Sequence, residues 1–443
     1  MRKASLTASF AAARLASAGT RRGAYPAPAA GSRSTIPLSR PLRHARYRQL
    51  WCANLVSNLG SWTQTFASAW LIASLSGSAS TTTLVQTATY IPIFLFALLA
   101  GVVADAVHRP KFLFYCNLFQ AACVCVLAGL VISGHAGIGP VLAVTFCLGI
   151  GSAFMWPAWQ AALSTLVAPD EVEAAATLNN LSYNVSAILG PALGGVLFSW
   201  IGPGALFLVN AISFIGLLAV YRAWWREQPA QPVALTGSTG ATCSTHFTAR
   251  LHDGVQLALG CPRYRCILVN VCTVFFATIA FAGLLPVFVR DVLHLKSAVF
   301  GTLMGSLGAG AVVAAFCLPA LRARVAKNHL LAGALVVYGI MLLGLSMSRS
   351  LALLIPLIVC GGMAWSTVVS TLNAAAQLAF PAAVRARTLS IYLFVMAGGY
   401  TAGSLFWGSI ADRFGVCAAF AGAGVCVLLN ALALLKGKRK NPI

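Results

Sequence analysis

The chain has 443 residues, of which 59% are hydrophobic and only 9% carry a formal charge. Soluble domains carry about 25% charged residues, so this composition excludes an ordinary soluble protein and indicates a polytopic membrane protein. The net charge of +22 does not indicate a nucleic-acid partner, because ten of the 30 basic residues precede Gln49 and four more lie in 436–440. Basic residues beside membrane spans orient the chain and meet anionic lipids, which we therefore expect as partners.

The 13 cysteines show no pattern typical of disulfides or of a metal site. Most stand singly inside apolar runs, where cysteine behaves as a small hydrophobic residue. The sequence also contains no Cys/His metal spacing, no Ser/His/Asp set and no nucleotide-binding loop. We therefore expect no cofactor, no metal and no enzymatic activity.

Residues 1–46 are rich in Ala, Ser, Arg and Pro and contain no acidic residue. They lack an apolar core long enough for a secretory signal peptide. The composition predicts a basic disordered tail, although an organellar transit peptide has a similar composition. Residues 437–443 are predicted to form a second, shorter basic tail.

Between these tails the sequence predicts an all-α polytopic membrane protein, in which each apolar segment is long enough to cross roughly 30 Å of hydrocarbon. Residues 47–225 are predicted to form an N-terminal six-helix bundle and residues 266–436 a C-terminal one. The 12 predicted transmembrane segments are 49–75, 80–104, 111–133, 138–164, 173–200, 203–225, 266–289, 297–320, 328–348, 351–378, 386–411 and 415–436.

The longest connection, residues 226–265, lies in the middle of the chain. Its first part has the composition of a linker. In its second part, residues 246–259, apolar residues recur at helical spacing, which predicts a short amphipathic helix on the membrane surface.

The distribution of basic residues predicts the orientation of the chain. With the N-terminus in the cytoplasm, the termini and the loops on that side hold 26 Lys and Arg residues, and the opposite loops hold 4. Cytoplasmic loops carry the excess of Lys and Arg, so both termini are predicted to be cytoplasmic.

The two halves of the sequence repeat weakly. Gly190 and Gly195 in segment 5 are matched by Gly403 and Gly408 in segment 11, each 213 positions later. A repeat of six helices keeps its orientation in the membrane, so the halves are expected to be pseudo-symmetric about an axis along the membrane normal. The substrate path is then expected to lie between them.

Segment 1 carries a stripe of polar residues at helical spacing, beginning with Asn54, Ser57, Asn58 and Ser61. Polar side chains facing lipid are costly, so the stripe is expected to face the bundle interior, either lining a cavity or joining helices to one another. Such a lining suits a largely apolar ligand that has some hydrogen-bonding groups. Further candidates for the cavity are Trp156, Gln160, Asn180, Asn184, Asn270, Asn373 and Gln377. Trp156 could instead be an interfacial anchor.

All eight acidic residues fall in loops or at the ends of predicted helices, and the seven histidines do likewise. An ionisable group within the membrane is the usual mark of a proton relay, so a simple proton site at the midplane is not expected.

On one face of the stretch Leu178–Gly195, the first half carries polar side chains and the second half carries almost no side chain, because it is formed by small residues. Its glycines would let a neighbouring backbone approach closely, and its proline removes one helix hydrogen bond. We expect it to be a gating helix, with a counterpart in segment 11. The candidate gating residues are Gly190, Pro191, Gly194, Gly195, Gly403 and Gly408.

The loop between segments 2 and 3 resembles the G-x-x-x-D-[RK]-x-G-[RK]-[RK] motif of the major facilitator superfamily. Gly101, Asp105, Arg109 and Lys111 match it, whereas Ala106, His108 and Pro110 do not. The stretch ending in Gly194-Gly195 is similar to the segment 5 motif of the exporter branches. Pro381-x-x-Val384-Arg385 and Gly408-x-x-Ala411-Asp412 resemble the bacterial branch of enterobactin-type siderophore exporters.

This resemblance implies the major facilitator fold of 12 helices in two bundles, and alternating access by rocking of those bundles. It implies that the residues matching the loop motif act as a conformational latch. It further implies a proton-driven exporter of small amphiphilic molecules in the bacterial inner membrane, which we expect to be monomeric. Because no carboxylate lies at the predicted midplane, our hypothesis is that Asp105 is the proton-titrating residue. A metabolite importer of the same superfamily and a non-transporting sensor or assembly protein remain the alternatives.

Overall fold

The computed structural model describes residues 37, 39–163, 165–227, 256, 260–380 and 382–436. These residues form long helices joined by short loops. The helices of the first half are α1 (Ala45–Leu75), α2 (Ala79–Ala106), α3 (Arg109–Ile132), α4 (Ile138–Leu163) and the kinked helix Val172–Glu227, whose arms 172–201 and 203–227 are α5 and α6. Those of the second half are α7 (Pro262–Val287), α8 (Ser297–Arg324), α9 (Lys327–Met347), α10 (Leu351–Leu378), α11 (Ala382–Phe414) and α12 (Val416–Lys436).

Ten helices among the described residues are long and apolar enough to cross a membrane. The kinked helix counts once among them but contains two of the predicted segments. Gly202 separates its arms, with a φ of 76° that a residue bearing a side chain rarely adopts. The first helix, Ala45–Leu75, is absent from the ten because its polar stripe lowers its mean hydropathy. Each of the 12 predicted segments therefore corresponds to a helix or to one arm of the kinked helix.

Described helical structure begins before the predicted boundary near residue 46. Arg40–Arg43 forms a short 3-10 helix directly before α1. The guanidinium of Arg40 donates to the buried carboxylate of Glu171 at 2.8 Å, and the His44 ring lies 2.6 Å from the other oxygen of that carboxylate. The end of the predicted tail is thus attached to the loop before α5. The rest of this tail, the predicted amphipathic helix apart from residue 256, and residues 437–443 lie outside the described residues.

The helices form two bundles, α1–α6 and α7–α12, which meet mainly along two pairs of helices. One pair is α2 and α11, and the other is α5 and α8. We call the end of the molecule at which α1 begins and α12 ends the near end, and the opposite end the far end. Successive helices run in alternate directions, so the α1–α2 loop and the loops after α7 and α11 lie at the far end.

Candidate functional site

A cavity of ≈ 420 Å³ lies between the two bundles. Its walls come from the middle of both bundles and extend toward the near end on α1, α4 and α5. Cavities of this kind, between helices of a bundle, are common sites for small molecules.

An aromatic stack joins the two bundles between the cavity and the far end. The ring of Phe300 on α8 stacks on Phe66 of α1, with 4.6 Å between centroids, and on Trp70, with 5.7 Å. Beyond the stack, Ser199 of α5 and Ser297 of α8 share a hydrogen bond of 2.9 Å. The contacts described between the bundles lie in the middle and at the far end, so this structure is closed at the far end.

The α1 stripe splits between the two roles that its sequence pattern allowed. Asn54, Asn58 and Ser61 line the cavity. Gln64, a later member of the stripe at the cavity wall, also accepts a hydrogen bond from Asn210 of α6. Thr63, beside the stripe, donates to the carbonyl of Gly190 on α5 at 3.1 Å. A polar stripe several turns long can serve both roles because its ends and flanks meet different neighbours.

On α4 and α5 the structure places aromatic rings in the cavity wall. Trp156 lies edge-on to Tyr183, with 5.8 Å between ring centroids, so it faces the cavity in this state. The indole of Trp159 donates to Asn179 at 3.2 Å. Asn179, and not the predicted Asn180, lines the cavity. The reason is helical geometry: Asn179 and Tyr183 are four residues apart on one face, and Asn180 lies about 100° around the helix, where it is exposed.

Six other predicted cavity residues do not line the cavity in this structure. Asn270 is buried and donates to the carbonyl of Cys266 at 2.8 Å. Gln377 donates to Asn373 one turn away on α10, at 3.1 Å. The remaining three are Ser57, Gln160 and Asn184. Together with Asn180, these residues remain candidates for lining the cavity only in another conformational state, in which the cavity opens differently.

Several residues in the cavity wall escaped the sequence analysis. One of them is Tyr90 of α2, which stacks across the two bundles on Tyr400 of α11, with 4.2 Å between centroids. Tyr338 and Trp365 form a tilted pair at 5.8 Å in the C-terminal bundle. Gln120 of α3 reaches the wall and donates to Ser152 of α4 at 3.1 Å. An isolated aromatic or amide in an apolar helix gives no periodic signal, so only the packing reveals which way it faces.

Among the described residues, no Asp, Glu, Lys, Arg or His lines the cavity. Its hydrogen-bonding groups are amides and hydroxyls, and its apolar surface is largely aromatic. Such a wall can solvate a neutral ligand, or a cation through the faces of its rings, whereas it offers an anion no opposite charge.

The predicted latch residues lie at the near end. Gly101 and Asp105 belong to the last turns of α2, which remains helical to Ala106, but the side chain of Asp105 is outside the described part of the structure. Arg109 is the first residue of α3. The ammonium of Lys111 lies 5.4 Å from the ring centroid of Trp225 on α6, a cation–π contact.

The predicted gating glycines fall into two pairs that follow the internal repeat. A Cβ on Gly190 would collide with Trp62 of α1, and one on Gly403 with the carbonyl of Phe276 of α7, so this first pair packs within its own bundle. A Cβ on Gly408 would collide with Thr83 of α2, and one on Gly195 would lie 2.8 Å from the carbonyl oxygen of Ser297 on α8. The second pair thus sits where the two bundles touch.

The two other candidate gating residues also lie on α5. Gly194 packs on the ring of Phe66, and the carbonyl of Pro191 lies where a Cβ on Gly301 of α8 would be. This face of α5 therefore meets both α1 and the opposite bundle through small residues.

Comparison with known proteins gives the family. The family described as "Transmembrane secretion effector" (MFS_3) matches residues 36–441. The multidrug efflux pump Tap of Mycobacterium tuberculosis is 20% identical over 392 residues, which are 87% of this chain and 91% of Tap.

Two further similarities support less: one covers only part of the chain, and the other is a similarity of fold alone. The uncharacterised MFS-type transporter YkuC of Bacillus subtilis is 26% identical over 179 residues, and the matched part spans 41% of that protein's length. The crystal structure of the nucleoside transporter NupG superposes with a TM-score of 0.67 at 11% identity, covering 89% of this chain and 100% of NupG, and so shows the fold alone. The chain is therefore a multi-pass membrane protein that belongs to the transmembrane secretion effector family of the major facilitator superfamily.

Proposed function

We propose that the protein exports small amphiphilic molecules, of the drug or siderophore class, by alternating access. The observation that carries this proposal is the central cavity between the bundles, closed at the far end and lined by aromatic, amide and hydroxyl groups. A molecule with an apolar ring system and a few hydrogen-bonding groups fits such a wall. The family description and the efflux pump Tap support export as the direction.

The near end is proposed to face the cytoplasm of a bacterial cell, with both termini on that side. The excess of Lys and Arg in the loops and termini of the near end supports this orientation. In that orientation, the structure represents a state closed toward the outside. The cavity then loads from the cytoplasm and releases its ligand after the far end has opened.

Proton influx is proposed to drive the transport. Because the described cavity wall holds no carboxylate, the proton must bind at a helix end. Of the acidic residues in or beside the helices, Asp170, Glu171, Glu227 and Asp291 form ion pairs with basic residues. Asp412 is held by hydrogen bonds to Ser78, Ala79 and Ser80 at the far end, and Glu173 lies in the first turn of α5. Asp105, in the last turn of α2, is the titrating group that we propose.

The direction of transport can be measured in membrane vesicles of both orientations. Inverted and right-side-out vesicles containing the protein are energised, and uptake of ethidium, a cationic amphiphile, and of Nile red, a neutral one, is followed by fluorescence. We expect dye uptake into inverted vesicles, and this uptake should stop when the proton gradient is dissipated. Right-side-out vesicles should take up no more dye than control vesicles that lack the protein. Uptake into right-side-out vesicles alone would instead identify an importer.

If neither dye moves, a panel of antibiotics and siderophores, chosen from the compounds that a deletion strain accumulates, extends the assay. No accumulation difference across that panel would favour a sensor or assembly protein.

A further inference from the structure

The short turn between α1 and α2 is held at the far end by two charged residues of the opposite bundle. Asp412, in the last turn of α11, accepts hydrogen bonds from the backbone N–H of Ala79 at 2.6 Å and of Ser80 at 3.2 Å. The same carboxylate accepts from the hydroxyl of Ser78 at 2.8 Å. On the other side of the turn, Arg290 donates to the carbonyl of Ser76 at 2.8 Å.

Each charge has the sign that its end of a helix requires. The first N–H groups of a helix lack partners within the helix and carry partial positive charge, and the last carbonyls carry partial negative charge. Asp412 lies at the start of α2, and Arg290 lies at the carbonyl that follows the end of α1. Charge-assisted hydrogen bonds of this kind are about twice as strong as neutral ones.

Arg290 is itself fixed in place. It follows α7 in a single π-helical turn, Phe288–Val292, and its guanidinium forms a two-pronged ion pair with the neighbouring Asp291. A wide turn at this point directs the guanidinium toward the loop of the other bundle. The geometry therefore places a pre-oriented cation, and not a freely rotating one, on the α1–α2 turn.

The second contact between the bundles at this end is uncharged. There α5 and α8 meet through the Ser199–Ser297 hydrogen bond and through the close approach of Gly195 to Gly301. We call this contact, formed by residues 188–199 and 297–308, the α5–α8 seam. The Ser199–Ser297 bond is neutral, and neutral hydrogen bonds are about half as strong as charge-assisted ones, so the stronger hydrogen bonding between the bundles at this end lies on the α1–α2 turn.

We infer that Asp412 and Arg290 together form a clamp that holds the far end closed and that must release the α1–α2 turn before the cavity opens there. The clamp joins the two bundles directly, so rocking them apart breaks all four hydrogen bonds at once. The inference requires only that the chain alternates between two states. It stands whether the substrate moves outward or inward.

Hydrogen–deuterium exchange of the purified full-length protein in nanodiscs of phosphatidylethanolamine and phosphatidylglycerol, without substrate, tests the clamp. Loss of the charged bonds in Asp412→Asn or Arg290→Gln should raise the ratio of open to closed far end by about tenfold. We expect faster exchange in peptides covering 76–84 and also in those of the α5–α8 seam, which neither substituted side chain contacts. Exchange within α9 should stay unchanged if the fold is intact.

Arg413→Gln is the matched control. Arg413 is exposed, adjoins Asp412 in the chain and forms no ion pair with any described residue, so its loss changes the local charge without touching the clamp. Its exchange should match that of the wild type. The inference is overturned if Asp412→Asn accelerates exchange only at 76–84 and leaves the seam protected, because the turn would then merely fray. Equal acceleration by Arg413→Gln would also overturn it. The dye-transport assay plays no part in this readout, so a failed export proposal cannot be mistaken for a failed clamp.

Discussion

At the scale of single residues, Tyr183 connects three helices of the N-terminal bundle at the cavity wall. Its ring lies edge-on to Trp62 of α1, with 5.6 Å between centroids, and to Trp156 of α4, with 5.8 Å. Edge-to-face pairs of this kind contribute about 0.5–1.5 kcal/mol each beyond the burial of their area. The three rings therefore present a preformed aromatic surface to a ligand.

We predict that Tyr183→Ala weakens ligand binding by roughly tenfold, because the ligand loses one ring and the two tryptophans lose their support. Quenching of tryptophan fluorescence on titration with ethidium measures the dissociation constant. Tyr183→Phe keeps the ring and should bind about as well as the wild type. Phe316→Ala removes an aromatic ring that is 79% exposed on α8, outside the cavity wall, and serves as a second control. An unchanged dissociation constant in Tyr183→Ala would contradict the role of this surface.

The sequence predicted part of this wall. The α1 residues were identifiable because polar side chains recurred over several turns, and a repeated pattern specifies a face of a helix. Asn180 was preferred over Asn179, since two neighbouring asparagines in an otherwise apolar helix leave the orientation open to one residue. Tyr338 and Trp365 had no periodic partner at all, so only tertiary packing could place them.

At the scale of helices, α5 and α8 touch through their backbones. A Cβ on Gly195 would lie 2.8 Å from the carbonyl oxygen of Ser297 and 3.1 Å from the Cα of Gly301. Real Cβ atoms essentially never approach another heavy atom to within 3.0 Å, and backbone atoms cannot rotate away as a side chain can. Small residues at such a crossing allow the close packing that holds membrane helices together.

Gly195→Ala is therefore expected to push α5 and α8 apart and to lower the apparent melting temperature of the purified protein. Gly216→Ala, on α6, is the matched control: a Cβ there meets no heavy atom within 4 Å, and alanine favours a helix over glycine. The control should melt at or slightly above the wild-type temperature. If both variants melt like the wild type, the seam tolerates separation and the close approach has no energetic role.

The helices themselves were largely predictable, since apolar segments of membrane length must form helices to satisfy their backbone groups. The boundaries were less so. The prediction ended segment 8 at residue 320 and began segment 11 at residue 386, whereas α8 continues to Arg324 and α11 begins at Ala382. Polar turns at the membrane surface extend a helix without leaving an apolar signal.

At the scale of the whole molecule, α2 and α11 run antiparallel along the boundary between the bundles. Thr87 bonds Ser404, Tyr90 stacks on Tyr400, and Phe94 stacks on Phe394. From the far end to the near end, residue numbers therefore increase along α2 and decrease along α11. The same register places position 105, at the near end of α2, beside the start of α11. Each helix therefore carries an Ala-Asp pair in its last turn, beside the start of the other helix: Ala104-Asp105 in α2 and Ala411-Asp412 in α11.

From this arrangement we predict that Asp105→Asn favours the state that is closed at the far end, opposite in sign to the effect expected for Asp412→Asn. Its neutral side chain would give a weaker cap to α11 in the state that is closed at the near end. We also predict loss of substrate-driven proton flux in Asp105→Asn proteoliposomes, monitored with a pH-sensitive dye. Retained coupling in this variant would exclude Asp105 as the proton carrier, whatever its effect on the conformational equilibrium.

The internal repeat allowed the two-bundle architecture to be predicted, and the match of Gly195 with Gly408 places both glycines at the boundary between the bundles. Which end is closed could not be predicted. A transporter must populate two states that differ by only a few kcal/mol, so one sequence has to be compatible with both.

The neutrality of the cavity wall has a consequence for the energetics of transport. In the proposed proton-driven export, a described wall that contributes no charge leaves the charge that crosses the membrane in one cycle to the substrate and to the protons exchanged for it. Exchange of one monovalent cation for one proton moves no net charge and responds to the pH gradient alone. Exchange of a neutral molecule for one proton moves one positive charge inward and gains a further ~2.3 kcal/mol for each 100 mV of membrane potential. Under that proposal, the charge of the substrate decides which component of the proton-motive force would drive its export.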